Sequence, residues 1–132
     1  MKSEPDEYSW SDLKKAGRDV WDGIRNYQAR NFMRDMRWGD TVLFYHTGKE
    51  RSIVGLASVI RTAFPDPSAG EAGDWSAVEL KSGRRLKHPV TLAQIKADNA
   101  LKNCYLVRNS RLSVMPITAD EYNRVLVLAG DT

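Results

Sequence analysis

Between Thr41 and Ile60 the chain commits itself to a sheet. Thr41-Val42-Leu43-Phe44-Tyr45-His46 is a run rich in β-branched and aromatic residues, and Ile53-Val54-Gly55-Leu56-Ala57-Ser58-Val59-Ile60 is a second. The polar turn Thr47-Gly48-Lys49-Glu50-Arg51 joins them. Gly55 marks either a bulge or a close approach of another group to the backbone. Trp75-Ser76-Ala77-Val78-Glu79-Leu80 alternates as a third strand, which a turn at Lys81-Ser82-Gly83-Arg84 brings back toward Leu86 and Val90. Arg111-Leu112-Ser113-Val114-Met115-Pro116 is expected as a last strand, with Pro116 near its end. Because these strands follow one another closely, the sheet is expected to be largely antiparallel and curled.

Helices fit around this sheet. Ser9 or Ser11 caps a short one around residues 12–15, and Gly17 stops it. Asn26 is placed to cap a helix over about residues 27–37. There Ala29, Phe32, Met33 and Met36 share one face, while Arg30, Arg34 and Arg37 share another. Thr91 to Gln94 and Thr118 to Glu121 have capping-box spacing. They open a short helix through about Ala97 and a terminal helix with Tyr122, Val125 and Leu126 inward. Tyr105-Leu106-Val107 is a brief apolar run, and Phe64 to Gly73 is a loop rich in Pro and Gly. The fold class expected is α+β: a small, mostly antiparallel curled β-barrel with covering helices, forming one domain over residues 1–132.

Composition narrows the function. Apolar residues make up 42% and charged residues 28%, as in a water-soluble globular domain. No window approaches the roughly 18 apolar residues of a membrane helix. Met1 to Glu7 is acidic and lacks the apolar stretch of a secretory signal. A single cysteine, Cys104, excludes an internal disulfide and suits a reducing cytoplasm, the location expected. His46, His88 and Cys104 have no metal-ligand spacing, so neither a metal nor a cofactor is expected. The net charge of +3 is modest, but its distribution is uneven. Arg25, Arg30, Arg34 and Arg37 form one basic group, and Lys81, Arg84, Arg85 and Lys87 form another. Such clusters are the footprint of a phosphate backbone or of a solvated face.

The stretch with the most chemistry is Trp21-Asp22-Gly23-Ile24-Arg25-Asn26-Tyr27-Gln28-Ala29-Arg30-Asn31. Aromatic faces beside guanidinium and amide groups can stack a planar heterocycle and read its edge. The competing reading is a loop-to-helix junction with a tryptophan plug and solvated arginines.

Several motifs occur in order: Lys2-Ser3-Glu4-Pro5, the Trp21–Asn31 stretch, Gly39-Asp40 followed by Phe44-Tyr45-His46, Val54-Gly55-Leu56-Ala57, Phe64-Pro65-Asp66 and Ser110-Arg111-Leu112-Ser113. Together they resemble the EVE domain from Lys2 to about Leu128. The resemblance implies a PUA-like fold related to YTH domains, and a pocket for a modified base, such as 5-methylcytosine, in DNA or RNA, without catalysis. Carried over by position, it implies that Lys2 and Ser3 lie beside the pocket and that Trp21 forms a wall. Arg25, Asn26 and Tyr27 line it, Tyr45 and His46 face it from a strand end, and Arg111 adjoins it. Family members usually carry further aromatic and apolar residues ahead of the Lys-Ser-Glu-Pro motif. Here Met1 directly precedes it, so either the true start lies upstream or the first strand is short.

Each site residue has a plainer alternative. Trp21 is a pocket wall or a core plug. Asn26 reads a base edge or caps the helix, and the two roles compete for one amide. Arg25, Arg30 and Arg34 contact phosphate or stack, unless Asp22 or Asp35 neutralises them. Tyr45 and His46 alternate along a strand, so one of them faces the pocket, and His46 is favoured. Trp10, Trp38 and Trp75 belong to the core or the rim. No GxxxxGK[ST] or GxGxxG motif and no nucleophile elbow is present, and His46 with Ser113 or Cys104 has no catalytic spacing. The expectation is a monomeric reader of nucleic acid in a single-stranded or flipped-out context, not an enzyme. The rivals are a hydrolase of modified nucleosides, as in ASCH-type PUA-like relatives with Lys2 and Glu4 as polar groups, and a small-metabolite module.

Overall fold

A computed structural model describes residues 1–131. Five strands form one sheet: β1 (Lys2–Ser3), β2 (Arg18–Trp21), β3 (Thr41–His46), β4 (Ser52–Pro65) and β5 (Ser76–Thr91), in the spatial order β1-β3-β4-β5-β2. All pairs are antiparallel except β1 with β3, which is parallel. The helices are α1 (Trp10–Ala16), α2 (Tyr27–Arg34), α3 (Leu92–Ala97), α4 (Tyr105–Arg108) and α5 (Ala119–Ala129), with a 3-10 turn at Pro67–Ala69. The sheet curls without closing, as a curled PUA-like barrel does.

Alternation along β3 divides the core in two. Val42 and Phe44 join Trp10, Leu13, Ala29, Met33, Val59, Val78 and Leu80 beneath α1 and α2. Leu43 and Tyr45 face the opposite way and pack with Leu86, Val90, Ile95, Leu101 and Val125 beneath α3 and α5.

The expected caps are present. Ser9 closes a capping box with Asp12, Thr91 with Gln94, and Thr118 with Glu121, while the Asn26 side chain accepts from the Ala29 N–H. Three expectations are corrected. The turn at Lys81–Arg84 does not form, because β5 continues through it and bends instead. A β-carbon on Gly83 would lie 3.0 Å from the Leu56 carbonyl oxygen, so glycine lets β5 hug β4 while register shifts flank Gly55. Arg111–Pro116 is irregular, not a strand; its link to β1 is one bond, from Lys2 N–H to the Ser113 carbonyl at 2.8 Å. The α2 helix ends at Arg34, three residues short of the expected end.

Gly55 is explained by Trp10. The indole lies flat against the glycine, and its Nε1 donates to the Leu56 carbonyl at 2.9 Å. Both a bulge and a close approach meet at this position.

Candidate functional site

The signature stretch begins on β2 and leaves the sheet at Gly23, whose φ of 79° is in the left-handed region open to glycine. Trp21 pairs with Val78, so the segment after β2 and the segment before β5 emerge side by side. Two aromatic groups result.

The first is internal. Trp21 is half-buried, edge-on to Phe44 at 5.4 Å and to Tyr8 at 5.7 Å between ring centroids. The Tyr8 hydroxyl donates to Asp19 at 2.6 Å, and burial together with that bond pushes the phenol well above its ordinary range. The Ser3 hydroxyl bonds the Tyr8 carbonyl. His46 completes the group and corrects an expectation, because it is buried against Phe44 and does not present an open ring edge. Its Nε2 accepts the Trp10 N–H at 3.0 Å, which fixes the proton on Nδ1, and Nδ1 faces Glu50 at 2.5 Å. Neither nitrogen is free to act as a base. Substituting His46→Phe, which keeps a flat ring but removes the acceptor, is expected to cost about 1–3 kcal/mol by orphaning the Trp10 N–H. Urea denaturation checks this, and an unchanged midpoint would contradict it.

The second group lies at the surface. Tyr27, 66% exposed, stacks on half-buried Trp75 with centroids 4.9 Å apart and planes 20° apart. The Arg30 guanidinium lies 4.9 Å from the Tyr27 centroid and 5.8 Å from that of Trp75, and the Arg25 guanidinium lies 5.4 Å from Trp75. Flat rings flanked by guanidinium planes make a stacking platform. Trp75 is the member the sequence did not single out. Forty-eight residues separate it from Tyr27 in the chain, and only the β2–β5 pairing brings them together.

Asp66 holds this platform in place. Its side chain is fully buried and accepts from the Gly23 N–H at 2.9 Å, Arg25 Nη1 at 2.9 Å, and the Ser68 N–H and hydroxyl at 2.7 Å each. Burial alone would raise its carboxyl pKa. The Ser68 hydroxyl, the Arg25 guanidinium and the two N–H groups outweigh burial and hold it well below the usual carboxylate range. Phe64-Pro65-Asp66 was legible as a motif, but not as the anchor of the signature stretch.

The remaining site residues separate. Arg30 and Arg34, expected at phosphates, are drawn instead to the loop before β5. Arg30 Nη1 donates to the Asp74 carbonyl at 2.9 Å, while Arg34 binds the Asp74 carboxylate at 2.7 Å and the Ser76 hydroxyl at 2.9 Å. Asn26 lies at the platform's edge, where the α2 cap uses the oxygen of its exposed amide. Tyr45 faces away from Trp21 and, with Lys2, Thr47, Arg51 and Ser110, lines a small cleft of about 200 Å³. There Lys2 Nζ donates to the Ser110 carbonyl at 2.7 Å, and burial lowers its pKa. Arg111 is exposed beyond that cleft. Trp38, expected in the core or the rim, is 74% exposed. The structure thus resolves one expected pocket into an internal aromatic group, a surface platform and a separate cationic cleft.

The curled mixed sheet, helices on both faces and aromatic signature at one sheet end define a PUA-like domain. The chain belongs to the EVE domain family, whose model matches residues 1–128. It is 36% identical to thymocyte nuclear protein 1 of Homo sapiens over 97% of this chain and 72% of that protein. Among solved structures, a protein of Agrobacterium tumefaciens superposes with a TM-score of 0.95 at 39% identity, covering 98% of this chain and 90% of its own. Human thymocyte nuclear protein 1, in complex with DNA containing 5-methylcytosine, superposes with a TM-score of 0.92 at 34% identity, covering 98% and 95%.

Proposed function

We propose that this domain binds nucleic acid and reads a modified base, with 5-methylcytosine in DNA as the first mark to test. The observation that carries the reading is the exposed Tyr27–Trp75 stack, clamped by Arg25 and Arg30 at the end of the sheet from which Trp21 also emerges. Stacked aromatic rings left open to water beside guanidinium groups are the kind of surface that takes a planar ligand. The complex of the human relative with methylated DNA supports the choice of ligand. Trp75 and Tyr27 supply the stacking faces, and the NH2 of Asn26 a donor for a base edge, while Trp21 anchors the end of β2 in the core. The residues bind and orient, and no bond of the nucleic acid is broken. An extruded or single-stranded base fits such a platform better than one held within a duplex stack.

The test is titration with matched oligonucleotides, with and without 5-methylcytosine. The wild type should favour the modified strand. Trp75→Ala should weaken binding of that strand about 5- to 150-fold, because base–aromatic stacking contributes about 1–3 kcal/mol. Equal affinity of the wild type for both strands would sink the modified-base reading. Release of a product from N4-acetylcytidine would favour a hydrolase instead.

A further inference from the structure

The charge of the signature face is largely consumed, since Asp66 and Asp74 hold Arg25, Arg30 and Arg34. Cations less fully paired gather elsewhere. Lys14 and Lys15 are exposed on the last turn of α1, and Gly17, which ends it, accepts the Ser82 N–H of β5 at 2.9 Å. Arg18, 71% exposed, sits directly across the β2–β5 ladder from Lys81. Like charges so placed repel, and Glu79, 3.9 Å from Arg18, offsets only part of it. Arg85 reaches back from β5 to the Ser11 hydroxyl at 2.8 Å, over the Trp10 ring, and the half-exposed Arg84 lies 3.4 Å from Asp131.

Resting on the reading above, we propose that this face, formed by the end of α1, β2 and the middle of β5, is a second contact that tracks the sugar-phosphate backbone beside the read base. Six cations (Lys14, Lys15, Arg18, Lys81, Arg84 and Arg85) stand against four carboxylates (Asp12, Asp19, Glu79 and Asp131), and the Asp19 carboxylate is engaged by the Tyr8 hydroxyl. That excess of two is most of the chain's net charge of +3. The cations are spread over strand and helix surface instead of converging on one cavity, which suits a line of phosphates better than a single anion. The exposed large apolar side chains among the described residues (Tyr27, Trp38, Ile117 and Val127) all lie elsewhere, so the face lacks the apolar anchor of a protein or membrane contact. Arg18 is three residues from Trp21 along one strand, about 10 Å at the usual rise per residue.

The experiment uses K14A/K15A/R18A/K81A, four exposed positions, with K96A/K102A as the control. Binding to a methylated and an unmethylated duplex, each with a single-stranded end, is measured over a series of salt concentrations. The expected result is a fall of about 2 to 4 in the slope of log K against log salt, with equal weakening on both ligands and an unchanged preference for methylation. The control should keep the wild-type slope. A wild-type slope in the fourfold variant overturns this proposal while leaving the base reading intact. A fallen slope with no methylation preference in the wild type upholds it and sinks that reading. A wild type that binds vesicles containing phosphatidylserine but neither duplex overturns it.

Discussion

Replacing Asp66 by alanine is expected to lower stability by about 2–4 kcal/mol and to abolish preference for the modified strand. The carboxylate is buried beneath the signature stretch, and its loss would leave the Gly23 and Ser68 N–H groups without their acceptor and Arg25 without its anchor. Each orphaned buried donor costs about 1–3 kcal/mol. Arg25 stays partly hydrated, which keeps the total below that of a fully buried broken pair. A melting temperature lower by about 10 °C would match, at a few degrees per kcal/mol for a domain of this size. Loss of binding with no loss of stability would contradict the anchoring role. The pH dependence follows from the depressed carboxyl. Its stabilisation is fully present above the unfolded aspartate pKa of about 3.9 and is lost as pH falls below that value toward the lower folded one. The stability difference between wild type and Asp66→Asn should therefore be constant at pH 5 and above and shrink on further acidification. A difference that widened on acidification would refute the assignment.

A comparable loss, about 2–4 kcal/mol, is expected for Gly55→Ala. The added methyl would stand 2.4 Å from Trp10 Nε1 and 2.6 Å from the neighbouring ring carbons. Trp10 is 3% exposed and cannot swing away without giving up both its bond to the Leu56 carbonyl and its place in the core that holds Leu13 and Phe44. Overpacking of this kind costs about 1–3 kcal/mol, and the lost hydrogen bond adds about 1. Urea denaturation followed by tryptophan fluorescence reads both the midpoint and the indole environment. A shift under about 1 kcal/mol would mean that the ring has room it does not have in this structure.

What the sequence determined by itself is what local chemistry can decide. The β3–β4 hairpin follows from a run of β-branched and aromatic residues on either side of a polar turn. The starts of α1, α2, α3 and α5 follow from capping side chains within three residues of the N–H groups they satisfy. The motif order also identified the family. The site was legible only in its local parts: the signature stretch as such, and the Asn26 cap.

Tertiary structure decided which charges and rings meet. Asp66 holds Gly23 and Arg25 from more than forty residues away, and Asp74 takes Arg30 and Arg34 from a similar distance. No spacing rule reaches that far, so arginines that read as phosphate contacts became internal ties. His46 turned inward because α1 presents its unpaired first N–H to that strand position. Trp75 became the partner of Tyr27 because β2 and β5 pair in a register that delivers their flanking loops to one edge. Pairing register is a property of the assembled sheet, and it converts two distant aromatic residues into one surface.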